Sequence, residues 1–142
     1  MNYFLANLVG VGTKTYKIGF EEMHRAIRSP RQYCIIHTLA INDQECLVLN
    51  TIRAEEEEKR MEAILEKPAG IKVVVYGRNN VDETVEKKYR QLVGLGLSEV
   101  YVYVGGMFEW VLLQELYGED NFPTAGKCRD LLKYKPGIMP DF

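Results

Sequence analysis

Apolar residues recur along the chain in two alternating patterns, short continuous runs and helical stripes. Runs rich in β-branched and aromatic residues occupy 16–18, 33–39, 46–52, 71–76 and 100–104, and such runs are typical of strands buried on both faces of a sheet. Between them, apolar residues three or four positions apart indicate amphipathic helices. Strands that alternate with helices predict an α/β domain whose parallel sheet is built from right-handed crossovers.

Four helices are predicted from this spacing and from capping and stop signals. They begin near Phe20, Arg53, Asp82 and Met107 and end near Ser29, Pro68, Val93 and Gly118. The last helix is apolar on nearly all sides, so we expect it to be buried. The second begins with glutamates at 55–58, which we interpret as a solvated face with ion pairs Glu55–Lys59 and Glu56–Arg60.

Composition restricts the class of protein. The chain has 142 residues, 46% of them apolar and 27% charged, which predicts one soluble globular domain. A net charge of −2 gives no basic field for nucleic acid, so we expect none as a partner. The apolar segment from Tyr3 to Val11 lacks a cationic start and is too short to cross a bilayer. We therefore expect no membrane partner, and we expect this segment to dock on the core as an extra strand or helix.

Three cysteines, an odd number with wide spacing, fit neither a disulfide framework nor a paired metal motif. A reducing compartment, the cytoplasm, is therefore the expected location. The two histidines, His24 and His37, are too far apart to form a ligand motif, so we expect both to be structural and no metal to be bound.

Two strand-to-helix loops are candidates for a site, because sites in parallel sheets form outside the carboxyl ends of the strands. One loop is Gly77 to Val81, and the other is the pair Gly105 and Gly106. If the strands that precede them are neighbours, the two loops lie side by side.

At these loops the sequence resembles the rhodanese-like domains. The matching elements are "KIGFEEMHRAI" at 17–27, the strand at 73–76 with the loop after it, and "VYVYVGGMFEW" at 100–110. The resemblance implies a five-stranded parallel sheet flanked by helices on both faces, with the active-site loop after the fourth strand. It covers about 16–118, which leaves 1–15 as an N-terminal extension and 119–142 as a tail packed on the domain.

The residues that define the family's chemistry are missing. Gly77 stands where the resemblance places the nucleophilic cysteine, and Asp82 and Glu83 stand where it places an arginine and a serine. The resemblance also places an aspartate and an arginine at the end of the second strand. This sequence has His37, Thr38 and Leu39 there, so both are missing. Sulfur transfer needs a thiolate that holds the sulfur covalently, and glycine has no side chain. We do not expect a phosphatase with a C-x5-R loop either, because Gly77 stands at its cysteine position and Glu83 at its arginine position.

We therefore expect a catalytically inactive rhodanese-like domain that acts as a binding or regulatory module through the retained loop. The expected ligand-binding loop consists of Tyr76, Gly77, Arg78, Asn79, Asn80, Val81, Asp82 and Glu83, and the expected cleft wall of Gly105, Gly106 and Trp110. Within the loop, Asp82 is a candidate N-cap and Arg78 the only cation. The partner is expected to be a protein or a small ligand, with no cofactor.

An alternative is a sulfurtransferase or redox protein that carries a persulfide on a displaced cysteine, Cys128. Cys128 lies between Lys127 and Arg129, which favour a thiolate. Cys46 follows Asp43 and Glu45, whose charges should raise its pKa, and Cys34 lies within an apolar run as inert packing. A third hypothesis is a structural subunit of a larger assembly, docked through the apolar N-terminal segment.

Overall fold

The computed structural model describes residues 15–67 and 70–142. In chain order its strands and helices are β1 (Lys17–Ile18), α1 (Phe20–Arg28), β2 (Tyr33–His37), β3 (Leu47–Val48), α2 (Ala54–Glu66), β4 (Lys72–Tyr76), α3 (Glu83–Gly94), β5 (Val100–Tyr103), α4 (Gly106–Tyr117) and β6 (Thr124–Ala125). Two 3-10 helices cover Ile41–Asp43 and Leu131–Tyr134. The predicted N-terminal docking element falls at 1–14, outside the described residues.

The central sheet is parallel, in the order β1-β5-β4-β2. The predicted α/β class is thus confirmed. Among the described residues the sheet has four strands, so the expected fifth is not confirmed. At the expected fifth position, Thr51 forms only an isolated parallel bridge with Ile35, and the Ile52 N–H donates to the Ile35 carbonyl at 2.8 Å.

The predicted strand at 46–52 is interrupted by a turn. Asn50 has a φ of 68°, a left-handed conformation that ends extended structure. The N-terminal part of the run, β3, pairs antiparallel with β6 in a separate two-stranded sheet. This small sheet attaches the C-terminal tail to the domain.

Helices cover both faces of the central sheet because alternate side chains of each strand point to opposite sides. On β4, Val74 and Tyr76 belong to a core cluster shared with α1 and α4. Val73 and Val75 belong to a second cluster, shared with α2 and α3. The loop after β4 therefore lies between two packed layers.

Two predictions about the helices need correction. Only one side of α4 is buried, and Leu116 on the other side is 68% exposed. The ion pairs predicted within α2 are not formed; Glu57 instead reaches across to Lys88 of α3 at 2.6 Å. Among the described residues, no helix is both long and apolar enough to cross a bilayer.

The tail after α4 packs closely on the domain. Trp110 is fully buried and donates its indole N–H to the Pro123 carbonyl at 3.0 Å. Tyr134, in the last 3-10 helix, is also fully buried. Its carbonyl accepts a hydrogen bond from Asn79 in the loop after β4, so the tail reaches the carboxyl edge of the central sheet.

Candidate functional site

Asp82 organises the loop between β4 and α3. Its Oδ1 accepts the Thr84 N–H at 3.0 Å, which caps α3, and its Oδ2 accepts the Arg78 N–H at 2.9 Å. The backbone donors on the two sides of the loop therefore converge on one carboxylate of the chain itself. Any external anion that approached this helix N-terminus would have to displace it.

Gly77 has no room for a side chain. A Cβ at this position would lie 2.4 Å from Asp82 Oδ2, 2.5 Å from Val85 Cγ2 and 2.8 Å from Thr38 Oγ1. These separations are well inside van der Waals contact. The space that a nucleophile at this position would need is filled by neighbouring side chains.

The two predicted loops are in direct contact. The Gly77 carbonyl accepts the Met107 N–H at 2.9 Å, and the Arg78 carbonyl accepts the Phe108 N–H at 2.8 Å. The first loop thus satisfies the free N–H groups at the start of α4. Gly106 has a φ of 65°, and a Cβ there would lie 2.8 Å from the Gly77 carbonyl oxygen. Glycine is required at Gly106 both by backbone conformation and by this approach.

Gly105, the other predicted wall residue, is covered by the Glu109 side chain. The Glu109 carboxylate accepts the Tyr103 hydroxyl at 2.5 Å. Burial first, and this carboxylate second, raise the pKa of Tyr103 far above its usual range. Gly105 is therefore covered by a carboxylate that already has its partner within the chain.

Arg78 and Asn79 hold the tail against the loop. The Arg78 guanidinium forms an ion pair with Asp43 at 2.5 Å and donates a second hydrogen bond to the Lys133 carbonyl. Asn79 is buried, and its Nδ2 donates to the Tyr134 carbonyl at 2.8 Å. Both side chains were expected to contact a ligand, and both are occupied by contacts within the chain.

Tyr76 and Trp110 lie inside the core rather than on the cleft surface. The Tyr76 hydroxyl accepts the Val48 N–H at 3.1 Å and shares a hydrogen bond with the Thr51 hydroxyl at 2.9 Å. Burial raises the pKa of Tyr76 well above its usual range. Neither aromatic side chain is open to a ligand.

The accessible part of the site is a cleft between the loop and the tail, with a volume of about 570 Å³. Lining residues from both sides include Arg78, Val81, Glu83, Leu132, Lys133 and Lys135. Val81 and Leu132 are apolar yet 60% and 57% exposed, and Glu83 and Lys135 carry charge beside them. A larger depression of about 700 Å³ lies between α1 and residues 117–123 and shares no lining residue with this cleft.

The cysteines lie in two separate parts of the core. Cys34 belongs to the α2–α3 layer, where burial raises its pKa to about 11. Cys46 belongs to the opposite layer, and its pKa is also raised to about 11. The main cause is burial, followed by the Cys128 thiol, and not the charges of Asp43 and Glu45 that the sequence suggested.

Cys128 is half-buried and packs against the same core cluster as Cys46. Cys128 contributes, after burial, to raising the pKa of Tyr134, and the buried Tyr134 hydroxyl has no hydrogen-bond partner among the described residues. Within 15–67 and 70–142, no hydrogen bond joins Cys128 to residues 77–83. The displaced cysteine is thus connected to the loop only through the tail.

The histidines occupy structural positions. His37 is buried at the end of β2, and its Nδ1 accepts the Leu39 N–H at 3.0 Å. Burial lowers the pKa of His37. In the opposite layer, His24 packs at a tilt against Trp110 and Phe122, with ring centroids 5.1 and 4.9 Å apart. The described residues contain no group of three or more His, Cys, Asp or Glu side chains arranged to hold a metal ion.

Sequence reasoning missed two partners of the loop, Asp43 and Lys133, and placed Thr38 only at a position where family residues are missing. Thr38 directly follows β2, and its Oγ1 accepts a hydrogen bond from the Thr84 hydroxyl at 2.8 Å. The rule that sites form at strand carboxyl ends identifies Thr38 as part of the site. Asp43 and the Lys133 carbonyl come from distant segments, so no local pattern indicates that they meet Arg78.

A parallel sheet with helices on both faces, and a capped loop at its carboxyl edge, defines this chain as an α/β domain. No protein-family model matches the chain, and no curated protein matches it. Solved structures with a similar fold do exist.

Three of the similar structures illustrate the likeness. BH2092 from Bacillus halodurans has a TM-score of 0.59 at 13% identity, with 87% of this chain and 82% of that chain covered. Alr3790 from Anabaena sp. has a TM-score of 0.56 at 18% identity, with 82% and 83% covered. The As-Sb reductase from Leishmania major has a TM-score of 0.52 at 20% identity, with 74% and 81% covered. At these identities the likeness shows the fold alone.

Proposed function

We propose that this chain is a divergent, catalytically inactive rhodanese-like domain that acts as a binding module. The observation that carries the proposal is the Asp82 carboxylate, which takes the Arg78 and Thr84 N–H groups and leaves no space beside Gly77. A thiolate carrier and an anionic substrate would both need the volume that this carboxylate fills. The loop has kept its position in the fold and lost its chemical function.

The binding surface is the cleft between the loop and the tail. Exposed Val81 and Leu132 give it an apolar centre, and Glu83 and Lys135 give it a charged rim. An apolar centre inside a polar rim is typical of protein interfaces. A protein segment that presents an apolar side chain to the cleft is therefore the preferred partner, ahead of a small ligand. The odd cysteine count keeps a reducing compartment, the cytoplasm, as the proposed location.

Loss of catalysis is tested by sulfur transfer from thiosulfate to cyanide. The wild type and a variant with all three cysteines replaced by serine are expected to show the same background rate. Turnover in the wild type that disappears in Cys128→Ser would contradict the proposal and establish the alternative, a persulfide on Cys128.

The binding surface is tested by capture of partners with matched variants. A protein enriched by the wild type should be lost with Val81→Asp combined with Leu132→Asp. It should be retained with Leu116→Asp, which places the same charge on an exposed apolar position of α4. Equal retention by both variants would show that the cleft is not the binding surface.

A further inference from the structure

Two cysteines meet where the tail joins the small antiparallel sheet. In the pairing of β3 with β6, Leu47 lies opposite Ala125. Cys46, one residue earlier, therefore reaches Gly126, and its thiol lies 3.8 Å from the Gly126 carbonyl oxygen. Cys128 follows two residues later and packs against the core cluster that contains Cys46. The two thiols are close enough that Cys128 contributes to raising the pKa of Cys46.

The two thiols differ in their access to solvent. Cys46 is fully buried, whereas Cys128 is half-buried and lines a surface depression of about 310 Å³ together with Gln114 and Glu119. A soluble oxidant can therefore reach Cys128 first. The third cysteine, Cys34, is buried in the layer on the other face of the sheet and cannot compete.

We propose that Cys46 and Cys128 form a reversible disulfide, which a peroxide closes and a small thiol opens. The Cys128 sulfur attacks one oxygen of hydrogen peroxide, which breaks the O–O bond, converts the thiol to a sulfenic acid and releases one water. The Cys46 sulfur then attacks the Cys128 sulfur, the S–O bond breaks, and the hydroxyl leaves as water with the Cys46 proton. Two electrons pass from the two thiols to one peroxide. Two equivalents of a thiol such as glutathione reverse the change and become its disulfide.

The disulfide would join Cys46, which directly precedes β3, to the tail segment that packs against the loop. Downstream of Cys128, the buried Tyr134 belongs to the core cluster that contains Cys46, and its carbonyl accepts a hydrogen bond from the Asn79 side chain of the loop. Oxidation would therefore restrict the tail at one end of the loop cleft. Formation of the disulfide does not depend on the proposed binding function.

The test uses the whole chain exposed to hydrogen peroxide, followed by thiol counting and peptide mapping under non-reducing conditions. The wild type is expected to lose two of its three free thiols, to become lighter by two hydrogen atoms and to yield a peptide pair linked through Cys46 and Cys128. Dithiothreitol should restore all three thiols. Cys34→Ser should form the same link, because it keeps both reacting residues.

Variants of the pair separate the two steps. In Cys46→Ser, Cys128 should stop at the sulfenic acid, which dimedone traps, and in Cys128→Ser no internal link should form. The proposal is overturned if the thiols of Cys46 and Cys128 stay free in the wild type and in Cys34→Ser. It is also overturned if the only disulfides formed join separate chains. The wild-type result stands whether or not the serine variants fold.

Discussion

The Asp82 carboxylate lies 2.9 Å from the Arg78 backbone nitrogen, across the mouth of the loop that follows β4. A side chain that begins a helix thus also closes the turn before it. Because this one group fills the floor of the site, changes to the loop have consequences for stability that can be measured.

Gly77→Cys should not restore catalysis and should weaken the fold. Its Cβ would lie 2.4 Å from Asp82 Oδ2 and 2.5 Å from Val85 Cγ2, and overpacking of this kind costs about 1–3 kcal/mol. Urea unfolding would measure the loss, and the thiosulfate assay would remain at background. Gly94→Ala is the matched control, because nothing lies within 4 Å of its Cβ, and it should leave stability unchanged or raise it by about 0.5–1 kcal/mol. A stable Gly77→Cys that transfers sulfur would contradict the account of the site.

Arg78→Gln should loosen the tail more than it weakens the domain. The pair with Asp43 is partly exposed and contributes about 1 kcal/mol or less, but the variant also loses the hydrogen bond to the Lys133 carbonyl. Limited proteolysis should cut the tail faster in this variant than in the wild type. Arg90→Gln is the control, since Arg90 is 69% exposed and its pair with Glu86 spans 4.0 Å. Identical cleavage of the two variants would show that Arg78 does not hold the tail.

Tyr76→Phe should destabilise the protein although it removes a single oxygen. The change leaves the buried Val48 N–H without its acceptor, and an unsatisfied buried donor costs about 1–3 kcal/mol. Tyr117→Phe, at an exposed position, should have no effect on the free energy of unfolding. If the two variants have equal stability, the link between β4 and β3 through Tyr76 is unimportant.

Stability should fall as the pH is lowered through the range in which histidine titrates. Burial lowers the pKa values of His37 and His24 below their ordinary value of 6.5. The unfolded chain therefore binds protons that the folded chain does not, so stability is complete above that value and is lost as the pH falls. Urea midpoints between about pH 5.5 and 8 would measure the slope.

The slope should be smaller in His37→Asn, whose amide oxygen can still accept the Leu39 N–H. His24→Asn should remove the remaining contribution. A wild type that is equally stable across the range would contradict the assignment of histidines that stay neutral in the folded chain.

Much of the fold could be predicted because local pattern and tertiary structure agree. The apolar run at 71–76 forms β4, and the N-cap signal at Asp82 correctly places the start of α3. The prediction of one strand over 46–52 was wrong because Asn50 turns the chain in a left-handed conformation, which the apolar pattern does not show. The prediction that α4 is buried on nearly all sides was wrong for a different reason. Apolar composition does not say whether a second layer covers the outer side of a helix, and none of the described residues buries Leu116.

The site was harder to predict than the fold. The contact between the two loops follows from strand order, a general property of parallel sheets. The internal partners of Arg78 and Asn79 depend on where the tail lies, and the tail has no periodic pattern that fixes its path. Local sequence predicts that these side chains bind a ligand, and long-range packing gives both of them partners within the chain.

The hydrogen bonds from Met107 and Phe108 to the loop carbonyls couple two elements that a flexible catalytic site would keep separate. Since the loop anchors the first turn of α4, it cannot swing outward without fraying that helix and disturbing the packing of Trp110. Under the proposed binding function, any adjustment of shape to a partner is therefore expected in the tail rather than in the loop.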